Sequence, residues 1–464
     1  MDVSIFSVIY VLTSIVIFYC LRYSSRFVFL VISSLAYVFI LDKTAGTALL
    51  ATFVFAYLAG LLIGAVKPRS SRVAVICLAF SVFVCVISLC FLKFSGRSGL
   101  FIPIGFSFYI FQTISYLVDI YRGKTAAEKK PARLFLYLAW FPKFVSGPIE
   151  RKDKFDEQLN NIRIVRFRDP QRWVRIAHYV IIGFFYKLVI ADRLCKYVDK
   201  LFSDYQNYDG AWLILGVIMY TFQIYFDFAG YSYAAIGISE AFGIKVSTNF
   251  KMPYLSENIT EFWRRWHITL SSWLRDYVYI PLGGNRKGKL RKIINTIMVF
   301  AVCGVWHGGD ISFVIWGLLH GAYASVDTVL SDKGYDRLRK GTVGRIITFL
   351  LVAFAWLFFR SANITEALGY IKCMMVPGRI FDSFLAQRQE LGFWLADILI
   401  IVLSIMAVLY FECCAYKRLE DVPEVIIRKT YPIRYLYAFI ALTMIMVFGM
   451  YGPESVVHMI YMQF

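Results

Sequence analysis

The chain has 464 residues, of which 59% are apolar, with a mean hydropathy of +0.61 and a formal net charge of +19. A soluble domain is roughly 45–50% apolar, so this composition excludes an ordinary soluble protein and predicts a polytopic membrane protein. The positive charge does not indicate nucleic-acid binding, because the Lys and Arg residues lie between apolar runs, where they set topology and contact anionic lipid head groups.

The apolar runs predict an all-α bundle of roughly ten or eleven membrane helices. The first run has no basic region and no small-residue cleavage site, so we expect a retained membrane helix rather than a removable signal peptide. Several runs fall short of the about 20 residues that cross a bilayer, and we expect re-entrant or half-crossing pieces above all at 134–149 and 293–306. Helices are predicted near 3–20, 26–41, 46–66, 73–94, 102–121, 134–149, 176–191, 211–228, 293–306, 311–327, 346–360, 393–412 and 434–451.

The loops between the first helices alternate in their content of Lys and Arg. The fifth loop carries Lys129 and Lys130 among its basic residues, whereas the second carries only Lys43. The positive-inside rule therefore places the first, third and fifth loops in the cytoplasm and the N-terminus outside. The charged segment 150–175 is expected to be an amphipathic cytoplasmic or interfacial element. Later basic clusters expected in the cytoplasm are 285–292, 333–345 and 417–434.

A helical hairpin is predicted directly after the cluster that ends at Lys292. An apolar run climbs from there, and a rise of 1.5 Å per residue places His307 about 22 Å along it. Gly308 to Asp310 then break the helix, and a second apolar run returns toward the next basic cluster. We therefore expect His307 at the tip of the hairpin, inside the membrane, and His320 on the returning arm as a supporting partner, together with Asp310.

An ionisable group at such depth is costly, so His307 is a functional candidate. Desolvation favours the neutral imidazole, which can accept a proton, and the neighbouring glycines leave room for a substrate to approach closely. The alternative is a structural histidine that hydrogen-bonds a neighbouring helix.

The stretch ITEFWRRWHI, from Ile259 to Ile268, carries a second candidate, His267. A helix is predicted from Asn258, which with Glu261 three residues later resembles a capping box, and Trp263 and His267 would share one face of that helix. The helix is too charged to face lipid, so we expect it at the interface or along a water-filled cavity, where its arginines could bind a phosphate-bearing donor. In the alternative, these arginines only extend to lipid head groups.

Other chemistries find little support in the chain. His178 and His458 are expected at interfaces. The sequence contains no serine-nucleophile elbow, P-loop or dinucleotide fingerprint. The nine cysteines form no CxxC pair, and a metal site built from His267, His307 and Asp310 is discounted because their spacing matches no known zinc or iron motif. We therefore predict no metal.

Several motifs, in order, resemble the membrane-bound O-acyltransferase (MBOAT) family, and more narrowly the bacterial branch that acts in alginate O-acetylation. The longest block, 249–288, is the most specific, and together the motifs span about half of the chain. They are FIPIGFSFYIFQTISYLVDIYRG, WFPKFVSGPIER, YTFQIYFDFAGYS, NFKMPYLSENITEFWRRWHITLSSWLRDYVYIPLGGNRKG and GVWHGGDISFVIWGLLHG.

The resemblance implies a fold and a location. The fold would be a ring of about 11 transmembrane helices with re-entrant and interfacial helices around a central funnel, in the bacterial plasma (inner) membrane. The chain would form one domain over 1–464, with a motif-bearing core at 102–321 and transmembrane helices at 346–464.

The resemblance also implies an activity. An acyl thioester, acetyl-CoA by expectation, would reach the site from the cytoplasm as a substrate, with no bound cofactor. The family's catalytic histidine corresponds to His307, which we expect to be the general base, and its second active-site histidine to His267, which would orient the donor or stabilise the oxyanion. The acyl group would pass to an extracytoplasmic partner with a serine-hydrolase-like domain and then to a cell-surface polysaccharide. Candidate donor-binding residues are Arg264, Arg265, Arg275, Lys287, Asp227, Trp306 and Asn258.

The sequence departs from the family pattern at one position, and three other functions remain as alternatives. Relatives usually carry an acidic residue where this chain has Tyr233, although Asp227 lies nearby in sequence. The closest rival is transfer of D-alanine from a carrier protein to teichoic acid. A proton-coupled transporter or lipid flippase would use the buried histidines as a relay, although the lack of internal repeats weakens it. A scaffold for polysaccharide export would not need the histidines.

Overall fold

The computed structural model describes residues 5–95, 102–376, 380–381, 383–418 and 420–451, so His458 lies outside the described residues. Every regular element in these ranges is a helix. By length and composition, nine of the described helices could cross a membrane, at Lys43–Val66, Ser71–Phe94, Pro170–Ser203, Gly210–Ala241, Lys289–His307, Ile311–Asp332, Gly341–Arg360, Leu395–Arg418 and Tyr431–Phe448. The all-α polytopic membrane class is thereby confirmed.

The described helices follow the predicted apolar runs closely, and shorter helices connect them. The α-helices are Ile5–Cys20, Arg26–Leu41, Lys43–Val66, Ser71–Ser95, Phe106–Arg122, Pro131–Ala139, Lys152–Leu159, Asn161–Ile164, Pro170–Phe184, Asp192–Ser203, Gly210–Ala241, Ile259–Arg265, Ile268–Leu274, Lys289–His307, Ile311–Asp332, Gly341–Arg360, Ile364–Met374, Phe384–Leu391, Leu395–Arg418, Val422–Ile427 and Tyr431–Phe448. Two π-helical segments, Phe185–Ala191 and Arg275–Tyr279, extend the helices that precede them.

The described residues form two compact units. The first comprises 5–95, 102–180 and 231–248, and the second comprises 181–230 and the described residues from 249 to 451. All of the residues that the sequence singles out most strongly, between Asn258 and His320, belong to the second unit.

In the first unit, the run 134–149 is not one helix. A helix of nine residues, Pro131–Ala139, is followed by a single 3-10 turn and then by irregular, buried chain. Buried irregular backbone needs polar partners, which side chains supply here: the Tyr137 hydroxyl donates to the Glu150 carbonyl oxygen at 2.9 Å. At 1.5 Å per residue the helix is about 14 Å long, too short to cross a bilayer, in keeping with the short piece expected there.

The other short run, 293–306, is longer in the structure than predicted. The helix begins at Lys289 and ends at His307, so its 19 residues are long enough to cross a membrane. The length argument for a half-crossing piece therefore fails for this run, and the way it sits in the membrane stays a prediction. The physical reason is that the basic residues up to Lys292 continue the helix by a further turn, rather than forming a separate loop.

The helices Lys289–His307 and Ile311–Asp332 form the expected hairpin, called the histidine hairpin below. Glycines allow its arms to approach closely: a Cβ added to Gly304 would lie 2.4 Å from the carbonyl oxygen of Phe313, and one added to Gly317 would lie 2.3 Å from that of Phe300. His307 ends the first arm, so its predicted place at the tip is confirmed.

The single helix predicted to carry both Trp263 and His267 is wrong. Asn258 does cap a helix, since its Oδ1 accepts a hydrogen bond from the Glu261 backbone amide at 2.9 Å, but that helix ends at Arg265. His267 then precedes a second helix, Ile268–Leu274, with a left-handed φ of 42°. The break interrupts the continuous helical face that the sequence pattern suggested.

Candidate active site

One tryptophan links the two strongest candidate residues. The Trp306 indole lies 4.7 Å from the His307 ring and 6.3 Å from the His267 ring, measured between centroids. Both histidines are buried, with 0% of His267 and 3% of His307 exposed. The structure therefore brings His267, Trp306 and His307 together, although 40 positions separate the two histidines in the sequence.

His307 lies among aromatic rings contributed by three helices. Besides Trp306 on its own helix, it contacts Trp316 on the returning arm at 5.0 Å and Phe359 near the end of the helix Gly341–Arg360 at 5.1 Å. These apolar rings exclude water from the imidazole, and a dry environment strengthens any hydrogen bond or proton transfer made there.

His267 is held in a sparsely populated backbone conformation. Only it and Met252, among the described non-glycine residues, have a positive φ, which costs on the order of 1–3 kcal/mol. Asn249 stabilises the turn: its carbonyl oxygen accepts from the Ile268 amide at 2.9 Å and its side-chain oxygen from the Thr269 hydroxyl at 2.6 Å. Such strain, held in place by specific contacts, is typical of functional positions.

The environment of His267 keeps its imidazole neutral. Burial lowers the pKa of His267 to about 3, because a charged ring would lose its hydration. The Phe228 ring meets it edge to face at 4.7 Å. A neutral imidazole can donate one hydrogen bond and accept another, which suits it to orient a bound molecule.

His320 belongs to the same aromatic cluster. Its ring lies 5.1 Å from Trp316 and 5.0 Å from Trp263, and its Nδ1 accepts a hydrogen bond from the Trp263 indole nitrogen at 3.2 Å. The predicted supporting position of His320 thus has a physical basis, since Trp316 packs against both His307 and His320.

Asn258 and Asp310, two other candidates, are both helix caps. Asn258 caps Ile259–Arg265, and Asp310 caps the returning arm by accepting from the Ser312 amide at 2.9 Å. A cap satisfies a backbone donor at a helix start and typically stabilises a protein by about 1 kcal/mol. Asp310 thereby fixes the turn that presents His307.

The candidate arginines differ in their surroundings. Arg265 forms an ion pair with Glu261 at 2.8 Å and its guanidinium lies 4.3 Å from the Tyr416 ring centre. Arg275 is exposed and pairs with the adjacent Asp276. Arg264 is exposed, so its charge is accessible to an anionic molecule.

Asp227 lies in a buried ion cluster. Its carboxylate lies 2.7 Å from the Lys187 ammonium, which also pairs with Asp192 at 2.8 Å. Lys187 lies within the π-helical segment Phe185–Ala191 and Asp192 directly follows it, and π-helical turns are frequent at functional sites. Tyr233, where an acid was expected, is buried in the first unit with its ring 5.9 Å from that of Tyr179.

Sequence reasoning missed part of the aromatic cluster. Trp316 lies four residues before His320, so helical spacing could have shown that they share a face. No local signal marks Phe359, which reaches His307 from a later helix. Within the described ranges, no group of three or more His, Cys, Asp or Glu residues is placed to hold a metal ion.

Comparisons with known proteins identify the family of this chain. The sequence model of the membrane-bound O-acyltransferase (MBOAT) family matches residues 130–364. Similar proteins include one named "Probable alginate O-acetylase AlgI" from Pseudomonas putida, 39% identical over 66% of this chain and 61% of its own length. A second is the peptidoglycan O-acetyltransferase of Helicobacter pylori, 35% identical over 60% of this chain and 57% of its own length. A third is the teichoic acid D-alanyltransferase of Bacillus subtilis, 30% identical over 55% of this chain and 68% of its own length.

The chain spans about three fifths of the length of the first two of these relatives. The family match covers half of the chain and includes His267, Trp306, His307 and His320. The chain therefore belongs to the membrane-bound O-acyltransferase family, in the branch that resembles alginate O-acetylase.

Proposed function

We propose that this protein is an O-acetyltransferase that moves an acetyl group from cytoplasmic acetyl-CoA toward a cell-surface polysaccharide. The observation that carries the proposal is His307, buried at the tip of the histidine hairpin and joined to His267 through Trp306. Relatives named for alginate and peptidoglycan O-acetylation support an acetyl group and an envelope polymer. An extracytoplasmic partner with a serine-hydrolase-like domain would take the acetyl group and esterify the polymer.

In this mechanism His307 is the general base. It takes the proton of an acceptor hydroxyl while the hydroxyl oxygen bonds to the thioester carbon, and the carbonyl electron pair moves onto the carbonyl oxygen. The electron pair then returns to re-form the carbonyl group, and the carbon–sulfur bond breaks. The sulfur takes the proton that His307 held and leaves as the free thiol of coenzyme A. General base catalysis of this kind contributes about 10²- to 10⁴-fold.

His267 and the exposed basic residues would bind the donor. Because His267 is neutral and fixed by its backbone, it can orient the acyl end through a hydrogen bond. Arg264, Arg275 and Lys287 are exposed and suit the phosphates of coenzyme A, whereas the Arg265 charge is balanced by Glu261. Asn258 and Asp310 contribute through capping.

The proposal is tested in cells by measuring O-acetyl ester in extracted envelope polysaccharide. His307→Ala should abolish the ester at a normal protein level. His178→Gln is a matched control, because this buried histidine belongs to the first unit and bonds to the Val174 carbonyl oxygen of its own helix. Normal acetylation in His307→Ala at a normal protein level would exclude the base assignment.

A second candidate, transfer of D-alanine from a carrier protein, is favoured by the likeness to teichoic acid D-alanyltransferase. It predicts that the purified protein consumes a carrier-bound D-alanyl thioester and leaves acetyl-CoA intact. Consumption of acetyl-CoA without any carrier would exclude it.

A further inference from the structure

The hydrogen bond from Trp263 fixes the protonation of His320. An indole nitrogen can only donate, so His320 Nδ1, which lies 3.2 Å from Trp263 Nε1, must be the acceptor. An imidazole that accepts at Nδ1 is neutral and carries its proton on Nε2. His320 therefore offers an N–H group at Nε2 and cannot take up a proton there.

A second buried N–H donor, Trp316 Nε1, lies one turn earlier on the same helical face. Neither His320 Nε2 nor Trp316 Nε1 has a hydrogen-bond partner among the described residues, although 0% and 1% of these side chains are exposed. Each buried donor left without an acceptor costs about 1–3 kcal/mol. Two such losses side by side call for an acceptor that the polypeptide itself does not supply.

The two donors lie beside the candidate base. Trp316 and His320 are one helical turn apart and their ring centroids are 5.1 Å apart, so their N–H groups belong to one aromatic cluster. The Trp316 ring also lies 5.0 Å from the ring of His307. An acceptor oxygen bound by the pair would thus lie where a group that reacts at His307 must come.

We propose that Trp316 Nε1–H and His320 Nε2–H together bind the carbonyl oxygen of the acyl thioester. This assignment rests on the proposed acyl transfer. When the acceptor hydroxyl bonds to the thioester carbon and loses its proton to His307, the carbonyl electron pair moves onto that oxygen, and the two N–H groups hold the negative charge. The pair returns as the carbon–sulfur bond breaks.

The energetic reason is preorganisation. The Trp316 ring packs against Trp356, with ring centroids 5.6 Å apart, and the His320 ring is held by its hydrogen bond from Trp263. Because both rings are fixed, the donors need no rearrangement during the reaction. In such dry sites, loss of one oxyanion donor lowers kcat by about 10²- to 10³-fold. The histidines of the hairpin then have different roles, with His307 accepting a proton and His320 donating a hydrogen bond.

The kinetic test uses the full chain in nanodiscs with acetyl-CoA and its acceptor. Trp316→Phe keeps an aromatic ring but removes the N–H, so kcat should fall about 10²-fold or more while KM for acetyl-CoA changes little. Trp212→Phe is the matched control: the same change is made in another buried indole, which donates to the Phe384 carbonyl oxygen at 3.0 Å and packs against Phe384 and Phe393, and it should affect stability without this loss of kcat.

A second pair of variants tests His320. His320→Gln keeps an N–H donor and an acceptor for Trp263, whereas His320→Leu keeps neither, so the glutamine variant should retain much more of kcat. Equal losses in both, or at least half of the wild-type kcat in Trp316→Phe, would overturn the donor assignment. If the wild type itself shows no turnover of acetyl-CoA, the proposed function fails instead of the donor assignment.

The tautomer can be measured without any activity. In protein labelled with ¹⁵N-histidine, the His320 signals are assigned by their absence in His320→Gln. The expected result at neutral pH is a neutral ring protonated at Nε2. A ring protonated at Nδ1, or at both nitrogens, would overturn the proposal whatever the kinetic result.

Discussion

His267 and His307 lie against the same indole, that of Trp306, with ring centroids 6.3 and 4.7 Å from it. Trp306 is 4% exposed, so it fills the space at the tip of the histidine hairpin as well as touching both rings. We therefore expect Trp306 to position the two histidines.

Trp306→Leu should therefore lower kcat about 100-fold, because a small displacement of a catalytic group has that effect. Trp306→Phe keeps an aromatic surface and should lose less. Turnover and the Tm in detergent are measured for both variants. Full kcat in Trp306→Leu, at an unchanged Tm, would show that the shared contact does not position the histidines.

The pH dependence of stability should reflect His267. Its pKa is about 3 in the folded protein, below the usual value of 6.5, so between these values the unfolded chain binds more protons. The contribution of neutral His267 to the free energy of unfolding is therefore complete above about pH 6.5. It is lost as the pH falls toward 3, by at most about 1.4 kcal/mol per pH unit.

The variant that checks this is His267→Asn, since asparagine tolerates the left-handed backbone of this position but does not titrate. The Tm of the wild type should fall further than that of His267→Asn between pH 7 and pH 5. Parallel falls in the two proteins would mean that His267 does not carry the effect.

Close packing of the histidine hairpin predicts a ranked response to alanine. Within a helix, alanine normally stabilises by about 1 kcal/mol relative to glycine. Here a Cβ at Gly317 would lie 2.3 Å from a backbone oxygen, whereas one at Gly321 would lie 3.1 Å from Ile297 Cα. Gly317→Ala should therefore destabilise by about 1–3 kcal/mol and reduce turnover, and Gly321→Ala should cost less. Equal Tm values for the two variants and the wild type would contradict the packing seen at the hairpin.

The buried cluster around Lys187 predicts unequal costs for its members. Lys187→Met leaves Asp192 and Asp227 without their shared cation, which should cost about 3–5 kcal/mol. Asp227→Asn leaves a balanced Lys187–Asp192 pair and should cost much less. Thermal unfolding in detergent measures both. A KM for the acyl donor that rises in Asp227→Asn would indicate the donor-binding role suggested by sequence; an unchanged KM would argue for a structural one.

The sequence was sufficient to predict the histidine hairpin, because the basic cluster ending at Lys292, the break at Gly308 to Asp310 and the following apolar run are all local signals. Composition likewise predicted an all-helical membrane protein. The location of the N-terminus outside the cell stays a prediction, since it depends on loop charge alone.

The break at His267 could not be predicted, because the apolar pattern continues through it. What stops the helix is tertiary: the amide of Ile268 and the hydroxyl of Thr269 bond to Asn249, which lies outside the segment. For the same reason, the contact of Phe359 with His307 depends on the packing of a later helix, and no spacing in the sequence encodes it.

The most direct test of the central claim follows loss of the thioester from radiolabelled acetyl-CoA by the purified protein in nanodiscs, with its acceptor present. His307→Ala and the matched His178→Gln are compared with the wild type at equal concentrations of correctly folded protein. The account predicts turnover in the wild type and in His178→Gln that disappears in His307→Ala. Equal turnover in His307→Ala would contradict the assignment of His307 as the base.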